Sequence, residues 1–318
     1  SPRMNVADLR TKGWEASITW GDSFTLASKP FNYRIMAGIG DNTSKVTKYD
    51  NPNRTLTDPY EGQQLGEIWG YVVDGYFKTD EEARNYKVDQ SFVNQMINAS
   101  ALDNGLHAGD LKFVDLDGNN KIEQTTSAND RKDMKVIGNS LPRYNYNFGI
   151  SADWYGIDFS VLFQGIGKQN WYPGAETSMF WGPYSRPYAS FIPSDFMSQV
   201  WSEENTNAYF PRPRGYVALG SNRELAVVNT KYLQNLAYCR LKNLSIGYTL
   251  PDKWLSKIGF EKIRVYFSGE NLLTFTKLHS DYIDPEQASA SNSWKTSKSD
   301  ANIYPWAKTY SFGVDITF

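Results

Sequence analysis

The sequence predicts an all-β protein, a segment of a transmembrane antiparallel β-barrel with long extracellular loops. Three observations predict this fold class. Apolar and polar residues alternate in seven segments, the connections between them are alternately short and long, and no run of about 18 or more apolar residues is present. Aromatic residues make up 15% of the chain, which suits strands and interfaces. The formal net charge of −2 offers no basic field for nucleic acid.

Alternation with a period of two residues places the strands. In the clearest segment, from Arg143 to Trp154, aromatic and aliphatic residues alternate with Asn, Gly, Ser and Asp. The last segment, from Lys308 to Phe318, alternates in the same way and ends on an aromatic residue. The predicted strands cover residues 14–20, 33–40, 144–154, 157–164, 243–250, 263–270 and 308–318.

A β-sandwich also alternates, so alternation alone leaves that fold open. The connection lengths favour the barrel. About ten residues join the first two strands, only Tyr155 and Gly156 join the third and fourth, and residues 251–262 join the fifth and sixth. The other connections are long, at residues 41–142, 166–235 and 272–307. Tight turns on one side and long loops on the other are typical of outer-membrane barrels, whereas compact soluble domains rarely carry such connections.

The order of the connections also predicts the place of the chain in a barrel. If the short turns are periplasmic, both the first and the last strand run towards the periplasm, and residue 1 begins on the extracellular side. Seven such strands cannot close a bacterial single-chain barrel, which needs an even number. We therefore expect residues 1–318 to be the C-terminal portion of a larger barrel whose plug domain and N-terminal strands are absent from this chain.

A series of ordered motifs spans nearly the whole chain. The motifs are RTKGWEASITW, GEIWGYVVDGYFKTDEEA, GDLKFVDLDGNNKIE, DRKDMKVIGNSLPRYNYNFGISADWYGIDFSVLFQG, VWSEENTNAYFPR, NTKYLQNLAYCRLKNLSIGYTLP and IRVYFSGENLLTFTKL. Through them the chain resembles the last third of SusC/RagA-like TonB-dependent outer-membrane transporters of Bacteroidota. Any one motif alone is weak evidence, and the ordered set is specific.

The resemblance implies a location and a set of partners. It implies about seven C-terminal strands of a 22-stranded barrel in the Gram-negative outer membrane, in contact with its lipid. It also implies nutrient uptake of glycans or peptides by the complete protein, with a SusD-like surface lipoprotein as lid. The TonB complex would act through the missing N-terminal part. No nucleophile–base set or catalytic carboxylate pair can be argued, so we expect no enzyme. A secreted, calcium-stabilised β-domain that binds glycan is the alternative.

The stretch DLDGNNKIE predicts a calcium loop. Asp115, Asp117 and Asn119 have the one-three-five spacing of calcium ligands, and the carbonyl of Lys121 stands at position seven. Position six is Asn120 in place of glycine, although asparagine tolerates the left-handed conformation. An Asp/Gly/Asn turn satisfied by its own backbone is the alternative.

The end of this loop is less regular. Position twelve is Thr126, which cannot supply a bidentate carboxylate. Related transporters often close the loop with an Asp-Arg pair, and the resemblance therefore assigns Asp130, followed by Arg131, to that place.

Two further groups are candidate contact residues. Tyr310 and Phe318 are expected to face lipid near the two membrane interfaces, and the terminal aromatic strand resembles the signal that the outer-membrane assembly machinery recognises. An aromatic cluster in the second long connection either contacts sugar rings, peptide side chains or the lid lipoprotein, or forms the core of the loop. Its candidate contact residues are Trp171, Trp181, Tyr184 and Tyr188.

Overall fold

The computed structural model describes residues 6–93, 105–186, 191–213, 215–256, 259–288, 298–299 and 304–318. The strands in these ranges are β1 (Ala7–Leu26), β2 (Lys29–Tyr49), β3 (Glu67–Tyr71), β4 (Val73–Tyr76), β5 (Leu111–Phe113), β6 (Met134–Asn139), β7 (Arg143–Trp154), β8 (Ile157–Lys168), β9 (Asn170–Pro173), β10 (Gln234–Asn235), β11 (Tyr238–Thr249), β12 (Lys262–Thr276), β13 (Lys298–Ser299) and β14 (Thr309–Thr317).

Helices are short. The α-helices are α1 (Asp80–Arg84), α2 (Ser178–Trp181) and α3 (Asp252–Leu255). Single 3-10 turns cover Ser91–Val93, Gly182–Tyr184, Phe196–Gln199 and Tyr216–Leu219. Among the described residues, no helix has the length and apolar character needed to cross a membrane.

Seven strands form one antiparallel sheet in the order β1-β2-β7-β8-β11-β12-β14. Each of them pairs with the next long strand along the chain, so the sheet is an up-and-down meander. All seven segments predicted from alternation lie in this sheet, and the predicted fold class is confirmed. The other strands form small sheets of three, two and two strands.

The expected ten-residue connection between the first two strands is wrong. β1 and β2 are 20 and 21 residues long, and only Ala27 and Ser28 join them. Both turn residues have positive φ angles, 48° and 62°, as a tight hairpin turn requires. Gly21 and Asp22 fall in the expected connection, but their backbones continue the ladder opposite Arg34 and Tyr33. The hydrogen bonds between paired strands join backbone groups, so a glycine or a polar side chain does not by itself end the pairing.

The two faces of the large sheet differ. One face carries exposed apolar side chains, with exposed fractions of 66% for Ile18 and 83% for Phe312. Within the described ranges, no sheet of comparable size packs against either face. The sandwich alternative requires such a partner sheet, because each of its sheets buries one apolar face against the other.

A row of five serines crosses the polar face of the sheet. They stand directly opposite one another on successive strands β7, β8, β11, β12 and β14, and Arg34 on β2 lies at the end of the row. The members of this serine row are Ser151, Ser160, Ser245, Ser268 and Ser311.

An ion pair on the same face joins β8 to β12. Arg264 donates two hydrogen bonds of 2.7 Å to the carboxylate of Asp158, and a third of 3.3 Å to Asp315 on β14. Gly247 lies beneath this pair on β11. A Cβ at position 247 would lie 2.5 Å from the Asp158 carboxylate and 2.6 Å from the Arg264 guanidinium. The absence of a side chain there lets the pair span the strand between its partners.

The hydrophobic core lies in the connections and not in the large sheet. We call residues 50–142, 169–237 and 277–308 connections 1, 2 and 3. Aromatic side chains from connections 1 and 2 dominate this core, and Leu278, Ile283 and Ala288 of connection 3 join it. The largest fully buried side chains are Trp171, Trp181, Tyr172, Tyr184, Tyr232, Phe77, Phe113 and Phe210. Long connections can remain ordered when they bury this much apolar surface, because that burial offsets the entropy of ordering them.

A β-bulge interrupts β11 at Lys242. Leu241 pairs with Phe163 on β8 and Asn243 pairs with the preceding residue, Leu162, so Lys242 has no partner there. One extra residue shifts the alternation of side chains between the two faces of the sheet. Residues before the bulge therefore point to the opposite face from the one that the pattern after it would predict. Arg240 therefore stands opposite Gln164 on the polar face, where connection 3 packs.

Candidate functional site

The predicted calcium loop forms a tight turn between β5 and β6. The Asp115 carboxylate accepts hydrogen bonds of 2.7 Å from the amides of Gly118 and Asn120. Asp117 accepts a bond of 3.1 Å from the Asn119 amide. Asn120 has a φ of 62°, which is the left-handed conformation that the sequence led us to expect of it. These bonds are those of a self-satisfied Asx turn, and they also hold the side-chain oxygens in place.

Lys121 continues the turn. Its amide donates a hydrogen bond of 2.8 Å to the side-chain oxygen of Asn119. The Asn119 side-chain amide in turn donates to Glu123 at 2.9 Å. The predicted ligand residues from Asp115 to Lys121 are thus brought into one compact segment.

A third carboxylate joins the turn from the following segment. One oxygen from each of Asp115, Asp117 and Asp133 lies within 4.8 Å of the other two. Asp133 is fully buried and accepts hydrogen bonds of 2.8 Å from the Leu116 amide and 2.7 Å from the Glu123 amide. Burial raises the pKa of Asp133, the two amide donors oppose this, and the neighbouring carboxylates raise it further.

Asp130 does not belong to this cluster. It is exposed, and its amide donates to the carbonyl of Ser127 at 3.1 Å in a separate turn. The segment DRKD contains two aspartates, and the structure brings the second of them to the loop. Sequence reasoning missed Asp133 because its burial depends on the start of β6. The available signal was a carboxylate directly before the strand segment MKVIG.

The candidate contact aromatics of connection 2 are buried. Trp171 and Trp181 have no exposed surface, and Tyr184 is 2% exposed. The Trp181 indole donates to the Gly174 carbonyl at 3.0 Å, and the Tyr184 hydroxyl donates to the Pro211 carbonyl at 2.7 Å. These three rings form the loop core, so they cannot touch a solute or a lid in this conformation. Tyr188 lies outside the described residues.

Tyr310 and Phe318 lie on or beside the last strand. Tyr310 is in β14, and Phe318 directly follows it. Their exposed fractions are 61% and 82%, and the Phe318 ring lies 5.3 Å from the Phe260 ring. Both rings lie on the exposed apolar face of the sheet together with Phe312, where they could contact an apolar environment.

A buried charge cluster attaches connection 3 to the sheet, and it was not predicted from the sequence. Arg240 is 2% exposed and donates hydrogen bonds of 2.6 Å to Asp284 and to Glu286. Lys242 also binds Glu286, at 2.8 Å. We call these four residues the connection-3 clamp. Asp284 and Glu286 lie 44 and 46 residues after Arg240 in the chain, and the bulge at Lys242 turns both cations towards them.

Comparisons with known proteins add to this geometry. TonB-dependent receptor P3 of Formosa agariphila is 27% identical to the chain over 334 residues, which cover 99% of this chain and 29% of the relative. TonB-dependent receptor SusC of Bacteroides thetaiotaomicron is 22% identical over 317 residues, covering 99% of this chain and 27% of the relative. The expected resemblance to TonB-dependent receptors is confirmed. These relatives are receptors and not enzymes, which supports the same expectation for this chain.

A solved structure agrees with these TonB-dependent receptors. The RagAB peptide importer in the "open-open" state matches with a TM-score of 0.64 and 19% identity, over 99% of this chain and 29% of the importer chain. At this identity the likeness shows the fold alone. The chain spans about three-tenths of the length of the curated relatives that it matches. No protein-family model matches it.

Proposed function

We propose that residues 1–318 are the C-terminal part of the barrel of an outer-membrane TonB-dependent importer. The observation that carries the proposal is the similarity to TonB-dependent receptors along 99% of the chain. The meander of seven antiparallel strands with one exposed apolar face supports it. The remaining barrel strands, the plug and the contact with the TonB complex would be supplied by the rest of the protein.

The proposed partner is a SusD-like surface lipoprotein, and the proposed cargo is an oligosaccharide or an oligopeptide. The RagAB relative is a peptide importer, which supports the peptide class. The motif resemblance implies either class. We assign Trp171, Trp181 and Tyr184 to the core that shapes the extracellular loops, because all three are buried.

Uptake by the full-length receptor tests this function. Deleting its gene should abolish growth on one glycan or peptide class as sole nutrient and leave growth on other nutrients unchanged. A full-length variant that lacks only the TonB-contact segment should assemble normally and still fail to restore growth, which separates assembly from energised transport. Unimpaired uptake of every glycan and peptide in the deletion strain would contradict the proposal.

We also propose that the turn at Asp115–Lys121 holds calcium. Three carboxylates, the amide oxygen of Asn119 and the carbonyl of Lys121 make an all-oxygen donor set, as calcium prefers. In this proposal Asp133 takes the place that the family resemblance assigned to Asp130. A bound cation would supply the positive charge that the buried Asp133 lacks, and would fasten β5 to the segment before β6.

A further inference from the structure

His279 lies where connection 3 packs against connection 2. Its ring stacks on the Tyr209 ring with centroids 3.4 Å apart and planes 15° apart. As the Nε2–H tautomer it donates a hydrogen bond of 2.8 Å to the side-chain oxygen of Gln199, at the end of the 3-10 turn Phe196–Gln199. The His279 amide donates to Gln234 at 3.2 Å. Two hydrogen bonds and one ring stack to connection 2 therefore meet at one residue.

The surroundings of the ring are largely apolar. The Phe180 and Phe210 rings lie edge-on at 6.1 and 5.6 Å. Lys231 is the cation nearby, and its ammonium lies 5.5 Å from the centre of the same Tyr209 ring that His279 covers. Protonated His279 would place a second positive charge beside this ring, where it would be repelled by the Lys231 ammonium in a poorly hydrated environment.

Burial and the neighbouring charges shift the pKa of His279 in opposite directions. Burial lowers the pKa of His279 most, the Asp281 carboxylate opposes this, Lys231 lowers it again, and Asp195 opposes it. Burial also lowers the pKa of Lys231. The net direction for His279 is downward, so the packed arrangement favours the neutral ring.

The consequence for pH follows from linkage. When the two connections separate, the histidine returns towards its ordinary pKa of about 6.5. Protonation is then easier in the separated state than in the packed state. The packed arrangement is therefore fully favoured above that value and weakens as the pH falls below it. The equilibrium constant for separation of the two connections rises by up to about tenfold for each unit by which the histidine pKa differs between the two states.

We propose that His279 is a pH-sensitive fastening between the two extracellular connections. Uptake of a proton releases residues 278–283 from the 3-10 turn Phe196–Gln199 and from Tyr209. The fastening is reinforced beside the ring by the Ser280 hydroxyl, which donates to the Met179 carbonyl at 2.8 Å. The connection-3 clamp holds Asp284 and Glu286 further along the same segment, so release is confined to the stretch before Asp284.

Hydrogen–deuterium exchange of the full-length receptor in detergent tests the proposal. At about pH 5.5, compared with about pH 7.5 and corrected for intrinsic exchange, peptides covering 195–201 and 276–284 should exchange several-fold faster. His279→Phe keeps a ring to stack on Tyr209 and cannot take up a proton, so its exchange should show no acid response. His107→Gln alters the other histidine of this chain and should respond as the wild type does.

Each outcome decides. An acid response that persists in His279→Phe, or that is lost in His107→Gln, overturns the proposal, as does a wild-type receptor with no response. If His279→Phe does not fold, His279→Gln keeps a hydrogen-bonding side chain and takes its place. Deuteration at the imidazole carbon of wild-type His279 then gives a second readout, and a pKa at or above the ordinary histidine value overturns the proposal.

Discussion

At the residue scale, the carboxylate cluster at Asp133 could be predicted only in part from the sequence. The spacing of Asp115, Asp117 and Asn119 predicts a turn whose side-chain oxygens converge, and the structure has that turn. Which aspartate supplies the third carboxylate depends on where the chain returns to this turn. Because Asp130 and Asp133 are three positions apart, local pattern cannot tell which of them returns to the turn.

We expect calcium to stabilise the full-length receptor, and Asp133→Asn to remove this effect. The substitution takes away one charged oxygen of the proposed donor set. At a calcium concentration of about 100 times the Kd, binding should add about 2.7 kcal/mol to the free energy of unfolding. Thermal unfolding with calcium and with chelator measures the difference.

Asp130→Asn is the matched control, because it changes the exposed aspartate of the same segment. It should keep the full calcium effect. A wild-type receptor that unfolds at the same temperature with calcium and with chelator would show that the turn is satisfied by its own amides alone.

At the element scale, the strands and the positions of the long connections were predictable, and the packing within those connections was not. Period-two alternation in Arg143–Trp154 reflects one apolar and one polar face, which is a local property of a strand. The bulge at Lys242 leaves no such mark. The bulge can be recognised only from the pairing of β11 with its two neighbouring strands. It determines that Arg240 faces connection 3. The pairing of Gly21 and Asp22 likewise depends on the neighbouring strand.

Arg240→Ala should loosen connection 3. The guanidinium and the Asp284 carboxylate are 3% and 5% exposed, and removing one partner of a buried pair costs about 3–5 kcal/mol. The loss leaves Asp284 and Glu286 without their arginine partner. Exchange of backbone amides in residues 278–288 should rise, and limited proteolysis should cut there first.

Arg84→Ala provides the comparison. Arg84 forms a 3.9 Å ion pair with Asp80 in which the side chains are 64% and 50% exposed. Such exposed pairs contribute roughly 0–1 kcal/mol, so this variant should leave exchange in residues 278–288 unchanged. Equal exchange in both variants would mean that the clamp does not hold the connection.

At the scale of the whole molecule, the large sheet has two edges. Within the described residues, β1 pairs only with β2 and β14 pairs only with β12. A long strand with an unpaired edge is a site of aggregation unless another strand covers it. The edge strand β1 is 20 residues long and exposed throughout.

We therefore expect the 318-residue chain expressed alone to aggregate or to remain bound to chaperones. Co-expression with the remaining barrel strands and plug, as a second polypeptide, should yield a folded barrel that resists SDS until it is heated. An isolated chain that is monomeric in water without detergent would contradict the barrel proposal and would favour the secreted β-domain.

The exposed terminal ring gives a prediction about assembly. Deleting Phe318 from the full-length receptor should lower the amount of folded barrel in the outer membrane several-fold, because it removes the proposed recognition residue. Trp254→Ala, which removes another exposed ring near the same end of the sheet, should have a smaller effect. Folded protein in isolated outer membranes, measured by heat-modifiable migration, distinguishes the two. Undiminished assembly without Phe318 would remove it from that role.

The serine row has a consequence for what the polar face can distinguish. Five short hydroxyl side chains on neighbouring strands leave the polar face of β7, β8, β11, β12 and β14 without a charge at this level. The charges of Asp158 and Arg264 lie on one side of this row, and Glu270 of β12 follows on its other side. In the proposed importer, the polar face of these five strands would therefore present its charges at separate levels, with a neutral level between them.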